Sequence, residues 1–243
     1  FEYDVSKEEE TQLTNGLRAH APAYSGDGKW ICFVRNYDGT QNLFIAPAPN
    51  GKKIDKKNIK QITTFTNGEQ IYAPRWSPVN NNIVFDYSKE GSRQIAEINV
   101  DNGEIFFIFS DPNADFRSPV YTRDGASIVF ASDITGIYNI YKYDLINNAR
   151  MTKESSTAFM QQLTNVIGGA FMPSVDSEKN LTFASWQTGG YKINELKNYT
   201  ELDTIIAEKN AKYNRPDKLI QKYEQENSDN SSLAKNKYDF LKL

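Results

Sequence analysis

The sequence predicts an all-β chain folded as a β-propeller of four-stranded antiparallel blades, ending in a short helical or disordered tail. Three observations carry this. One pattern of proline, tight polar turn and apolar run recurs four times, around Pro22, Pro74, Pro119 and Pro173. The spacings between those prolines are 52, 45 and 54 residues, the period expected of propeller blades. Within each repeat, short β-branched and aromatic runs are separated by Asp-Gly-type turns, the signature of antiparallel hairpins.

The elements follow in order. The proline segments are Ala21-Pro22-Ala23-Tyr24-Ser25, Ala73-Pro74-Arg75-Trp76-Ser77, Ser118-Pro119-Val120-Tyr121-Thr122 and Met172-Pro173-Ser174-Val175-Asp176. Each is a first strand, and a polar turn such as Asp27-Gly28 or Asp124-Gly125 leads out of it. Second strands are expected at 30–34, 83–87, 128–131 and 181–186. A Gly-bearing turn then precedes third strands at 43–46, 95–100, 138–145 and 191–196. Fourth strands close the first three units at 61–63, 105–109 and 162–164. An immunoglobulin-like sandwich would not repeat one turn-and-aromatic pattern four times.

The N-terminus is out of phase. Phe1-Glu2-Tyr3-Asp4-Val5 matches Tyr141-Lys142-Tyr143-Asp144-Leu145, a third strand, and Gln12-Leu13-Thr14 matches Gln162-Leu163-Thr164, a fourth. The boundaries are therefore a partial blade at 1–15, blades at 16–67, 68–112, 113–166 and 167–196, and a tail at 197–243. Four blades plus a partial one point to a fragment of a larger propeller; a four-bladed ring closed by the N-terminal remnant is the alternative. From Asn194 onward the chain holds nine basic and nine acidic residues. Apolar spacing predicts helices over 199–213 and 217–226, and 227–232 reads as disordered. The tail is a linker or docking segment.

Composition limits the function. The chain has 28 basic and 31 acidic residues, a net charge of −3, which argues against a nucleic-acid binder driven by counterion release. The longest apolar run is five residues, too short to span a membrane. His20 is the sole histidine and Cys32 the sole cysteine. A three-histidine metal site or a disulfide framework cannot be built, and no nucleophile elbow or phosphate loop is present.

Candidate binding residues are those just before or within the inner strands, where a propeller rims its channel: His20, Tyr72, Arg75, Phe116, Arg117 and Phe171. Arginines and aromatics are favoured anchors, although packing between blades explains each aromatic equally well. Asp111-Pro112-Asn113-Ala114-Asp115 is the one stretch whose alternating oxygens suit calcium. Asp111, Asn113 and Asp115 would be the ligands, against a plain Asx-rich turn; no cofactor is otherwise expected. Asp27 and Asp124 read as turn formers. Two insertions, at 51–60 and 147–161, follow third strands and should emerge opposite the channel mouth. The first carries five lysines, and a basic loop suits an acidic partner or lipid surface, or simple solvation.

Pro22-Ala23-Tyr24-Ser25-Gly26-Asp27-Gly28-Lys29-Trp30-Ile31-Cys32-Phe33 resembles the TolB-like, WD-like β-propeller repeat of bacteria. The resemblance runs over 1–196 and departs at Ser174-Val175-Asp176-Ser177-Glu178-Lys179, which lacks the aromatic and the Asp-Gly. It implies a periplasmic or cell-envelope protein, often fused to a peptidoglycan-binding, outer-membrane or hydrolase domain, and a role in protein interaction more often than catalysis. The expected function is thus a non-catalytic scaffold that binds an envelope or outer-membrane protein. The alternatives are the substrate-gating propeller of a prolyl-oligopeptidase-like hydrolase and a glycan-binding propeller.

Overall fold

The computed structural model describes residues 1–109, 111–145 and 160–202 of the chain. The expected helices from residue 203 on and most of the second insertion lie outside these residues, and 199–202, where the first expected helix begins, are not helical. Those described form an antiparallel hairpin followed by four antiparallel sheets, each running in sequence order from first to last strand.

The hairpin is β1 (Glu2–Asp4) and β2 (Glu9–Thr11). The first blade is β3 (Ala19–Tyr24), β4 (Trp30–Tyr37), β5 (Thr40–Pro47) and β6 (Lys60–Gln61). The second is β7 (Gln70–Trp76), β8 (Asn82–Lys89), β9 (Ser92–Asn99) and β10 (Ile105–Phe109). The third is β11 (Phe116–Tyr121), β12 (Ser127–Ser132), β13 (Asn139–Asp144) and β14 (Met160–Gln162). The fourth, β15 (Ala170–Val175), β16 (Leu181–Gln187) and β17 (Gly190–Leu196), has three strands among the described residues.

Second and third strands run longer than expected in the first blade, and the turn explains it. Asp38 and Gly39 both have positive φ, at 50° and 77°. Such a two-residue turn matches the twist of the flanking strands, so pairing continues to Tyr37 opposite Thr40. Turns from first to second strand are held by side chains instead. Ser25 Oγ donates to Asp27 Oδ1 at 2.6 Å and accepts from Trp30 N at 3.0 Å. Thr122, Asp124 and Ser127 N repeat the arrangement in the third blade. These bonds hold the Asp27 carboxyl down at about 2, so the aspartate is a turn former.

Each first strand carries a bulge. Ala21, Ala73, Ser118 and Met172, each just before its proline, have φ between 45° and 52°, and the ladder register slips there in every blade. The extra residue leaves His20, Tyr72, Arg117 and Phe171 in one equivalent place just above the bulge. The aromatic two residues beyond the proline ties neighbours together. Trp76 Nε1 donates to Ala23 O at 3.1 Å, Tyr121 OH donates to Glu97, and Tyr24 OH donates to Glu2 Oε1 at 2.6 Å.

The core lies between blades. Cys32, Val34, Leu43 and Ile45 of the first blade meet Ile71, Ile83, Phe85 and Ile98 of the second. Val84 and Ile95 meet Phe116, Phe130, Tyr141 and Tyr143 of the third. Val129 and Ile140 meet Leu181 and Phe183 of the fourth. The hairpin joins the series as a partial blade. Glu2 pairs with Thr11 and Tyr3 with Glu10, the register of Lys142 with Gln161 and Tyr143 with Met160. The lysine-bearing insertion packs inward through Ile54 and Ile59, and Ile54 N donates to Leu13 O at 2.9 Å; its lysines are exposed.

Cys32 is fully buried, and burial pushes its thiol up to about 12. The thiolate is the reactive form, so iodoacetamide should leave the native protein unlabelled and modify it only in denaturant. Labelling of the native protein at the denatured protein's rate would show the first blade open.

The Gln-apolar-Thr motif of the fourth strands has a definite task. Thr164 Oγ1 accepts from Ile140 N at 2.9 Å and donates to Asn139 Oδ1 at 3.0 Å, while Val166 N donates to the same oxygen at 3.0 Å. Gln162 Nε2 closes the clasp on Thr164 O at 2.6 Å. Gln61, Thr63 and Asn42 reproduce every bond in the first blade. Asn139→Ala strands a buried N–H and a hydroxyl, and is expected to cost about 1–3 kcal/mol in urea denaturation. A change within error would remove the clasp from the account of the repeat.

Candidate functional site: the upper rim

First strands begin, and second strands end, on one face of each blade, because they pair antiparallel there: Tyr72 with Asp86, Arg117 with Ala131 and Phe171 with Ala184. Third strands begin on the same face. The result is a belt across the second, third and fourth blades in which cations, carboxylates and rings alternate.

In the second blade the Arg93 guanidinium lies 4.1 Å from the centre of the Tyr72 ring, and its Nη2 donates to buried Asp86. Asp86 Oδ1 also accepts from Ser118 N of the third blade at 2.8 Å, which anchors that blade's bulge. Burial pushes the Asp86 carboxyl up to about 6, against the pull of Arg93, the Ser118 N–H and Arg117. Arg93 N donates to Asp115 Oδ1 at 3.2 Å. The other Asp115 oxygen accepts from Arg117 Nη2 at 2.7 Å and from Tyr138 OH at 3.2 Å. Arg117 lies 4.9 Å from the centre of the Tyr138 ring. Ring contacts carry the belt onward: Tyr138 to Phe171 at 5.2 Å, Phe171 to Tyr191 at 5.9 Å and Tyr191 to Trp186 at 5.0 Å.

Of the six residues named from sequence, Tyr72, Arg117 and Phe171 belong to this belt. His20 holds the equivalent place in the first blade, exposed and opposite Val34. Arg75 does not join them. It is exposed below the bulge, and its Nη1 donates to Pro74 O at 2.8 Å. Phe116 is a correction: it is fully buried between Phe109 and Phe130. Neighbours along a strand point to opposite faces, so Arg117 at the rim sends Phe116 into the core. The belt residues not named from sequence are Asp86, Arg93, Tyr138, Trp186 and Tyr191. Aligning third strands would have found three of them, since Arg93, Tyr138 and Tyr191 share one register position.

The loop read as a cation site is otherwise engaged. Asp111 Oδ1 accepts from Asn113 N at 2.7 Å, an Asx turn. The Asp115 carboxylate faces guanidinium and phenol. Among the described residues no three His, Cys, Asp or Glu side chains gather as a metal site.

On the opposite face, a cleft of 490 Å³ lies between the third and fourth blades, lined by Thr122, Asp124, Lys142, Asp176, Lys179 and Glu201 among others. Part of its charge is neutralised within the cleft. Lys142 Nζ meets Glu201 Oε1 at 2.6 Å, and Asp176 Oδ2 accepts from Asn180 Nδ2 at 2.8 Å. The rim belt, where cations and rings are held in one place of successive blades, is the candidate site. Among the described residues no helix is long and apolar enough to cross a membrane.

No family model matches the chain. An uncharacterised protein of Agrobacterium fabrum, Atu1656, is 23% identical over 141 residues, which are 54% of this chain and 45% of that protein. The chain thus spans about half the length of its curated relative. Among solved structures, TolB from Acinetobacter baumannii is 20% identical with a TM-score of 0.57, over 75% of this chain and 42% of that one. A TolB described from Agrobacterium tumefaciens is 16% identical with a TM-score of 0.59, over 75% of this chain and 64% of that one. A puromycin-hydrolysing peptidase of Mycobacterium tuberculosis is 12% identical with a TM-score of 0.56, over 78% of this chain and 29% of that one. Repeat, sheet order and structural likeness agree: the described residues form a β-propeller scaffold with the TolB-like fold.

Proposed function

We propose that this chain is a non-catalytic propeller module that binds a protein partner in the bacterial cell envelope through its upper rim. The observation that carries the reading is the belt itself. Tyr72, Arg117 and Phe171 stand at one equivalent place in successive blades, their orientation fixed by Asp86, Asp115 and inter-blade bonds. Half-exposed arginines and aromatics held in place lose little conformational freedom on docking, the property of interface hot spots. A partner would meet a rigid surface with little backbone change. The periplasmic setting rests on likeness to the TolB fold.

The test is site-specific photo-crosslinking in envelope preparations of the native host. A crosslinker at Tyr72 or Phe171 should give one discrete protein adduct, and one at Arg123 on the opposite face should give none. No adduct from the rim, or equal adducts from both faces, would overturn the reading. If the adduct forms with a hydrolase domain of the same polypeptide, the gating role replaces it; saturable binding on a glycan array without a protein adduct would favour a glycan ligand.

A further inference from the structure

The rim carries three ion pairs of one build. Lys89 meets Glu69 at 3.3 Å, Arg93 meets Asp86, and Arg117 meets Asp115 at 2.7 Å. The carboxylate side chains are 7%, 1% and 3% exposed, while their cations are 38%, 20% and 37% exposed. In the other ion pairs of the described residues the carboxylate is between 39% and 51% exposed. All three rim pairs belong to the second and third blades. Each of these has four strands and is packed between two other blades, so the ends of the chain do not create this surface.

Each carboxylate is divided in the same way. One oxygen takes the cation and the other takes a backbone N–H: Asn67 N at 2.6 Å on Glu69, Ser118 N at 2.8 Å on Asp86, and Arg93 N at 3.2 Å on Asp115. The acids are thus covered and engaged from within, and a cationic ligand finds no open carboxylate. The cations keep donors to spare. Arg93 and Arg117 each bond their acid through Nη2 and leave Nε without an acceptor, so neither makes the two-pronged contact that a guanidinium prefers. Both are held over tyrosine rings, Tyr72 and Tyr138. Each pair is neutral as a whole with its positive end outward, and such a dipole attracts at contact and little at a distance.

We propose that the rim selects its partner through carboxylates: a segment of the bound protein rich in Asp and Glu settles on Lys89, Arg93 and Arg117. The inference rests on the docking role above and names the chemistry of the segment that docks.

Fluorescence anisotropy on the full 243-residue chain tests it, with a dye-labelled peptide of alternating Glu and Ala and with peptides carrying Gln or Lys in place of Glu. The Glu peptide should bind saturably and the other two should not. Lys89→Gln combined with Arg117→Lys should weaken that binding about tenfold or more, because charge-assisted and two-pronged bonds carry it. Arg117→Lys leaves Asp115 a cation, and melting curves should confirm that the variant folds. Lys56→Gln combined with Lys57→Gln, both exposed on the insertion of the first blade, should leave binding unchanged. Equal binding of the Glu and Gln peptides, loss of binding in the insertion variant in place of the rim variant, or tighter binding of polygalacturonate than of the Glu peptide would each overturn the proposal. The photo-crosslinking assay separates this inference from the one beneath it. A Tyr72 adduct that forms undiminished in excess Glu peptide overturns carboxylate recognition and leaves rim docking standing, whereas the absence of any rim adduct removes both.

Discussion

Phe109→Ala is expected to lower the unfolding free energy by about 3–5 kcal/mol, the range for emptying a buried aromatic site. Phe109 ends β10 and is almost wholly buried between the second and third blades. Its ring centre lies 4.7 Å from that of Tyr143, 4.9 Å from Phe130 and 5.2 Å from Phe116. These contacts come from different strands of the third blade, so no single neighbour can move in to refill the space. Phe106, exposed on the same strand, is the control: its change to alanine should stay within about 0.5 kcal/mol. Guanidinium denaturation of both variants checks the pair. Equal losses would mean that β10 contributes through its backbone ladder and not through Phe109.

The blade pattern was legible because it is written in local chemistry. Prolines mark the bulged first strands, Asp27 and Asp124 close turns through their own side chains, and the Gln-apolar-Thr motif is a self-contained clasp. Even the partial blade could be read, since Tyr3 and Gln12 fall in step with Tyr143 and Gln162. The rim was harder. A bulge inserts one residue into the first strand, and a slip of one residue exchanges core and surface. Phe116 and Arg117 are adjacent and both resemble anchors, yet the register alone decides that one is core and the other rim. Asp115 looked like a cation ligand because oxygen-rich turns do. Its partners Arg93 and Tyr138 come from two hairpins more than twenty positions apart on either side, which no local pattern joins. Asp86, the most buried acid of the belt, sits inside a strand that reads as apolar.

Asp86→Ala is expected to cost about 3–5 kcal/mol, the penalty for leaving one member of a buried ion pair without its partner. Two groups lose their acceptor at once: the Arg93 guanidinium, and the Ser118 N–H that fixes the third blade's bulge. Asp86→Asn should rescue little, because an amide can accept from Ser118 only by turning its own N–H₂ toward Arg93. The third blade indicates what would rescue. There the equivalent positions are Ala131 and Tyr138, neither of them charged. Asp86→Ala combined with Arg93→Tyr copies that pair and should recover roughly half the loss, since the unpaired charge goes while the Ser118 N–H stays unmet. A pH titration separates this role from simple packing. Burial raises the Asp86 carboxyl from 3.8 to about 6, so the folded state holds the proton more tightly than the unfolded chain. The stability that this proton brings is fully present below the unfolded value and fades as pH rises through the folded one. On going from about pH 7 to about pH 5 the wild type should gain roughly 1 kcal/mol that Asp86→Ala does not. Other carboxylates, such as Asp27 and Asp124, are held low and act in the opposite sense only at more acid pH. A gap between wild type and variant that is constant over this range would show that Asp86 does not titrate there, and that its cost is the broken pair alone.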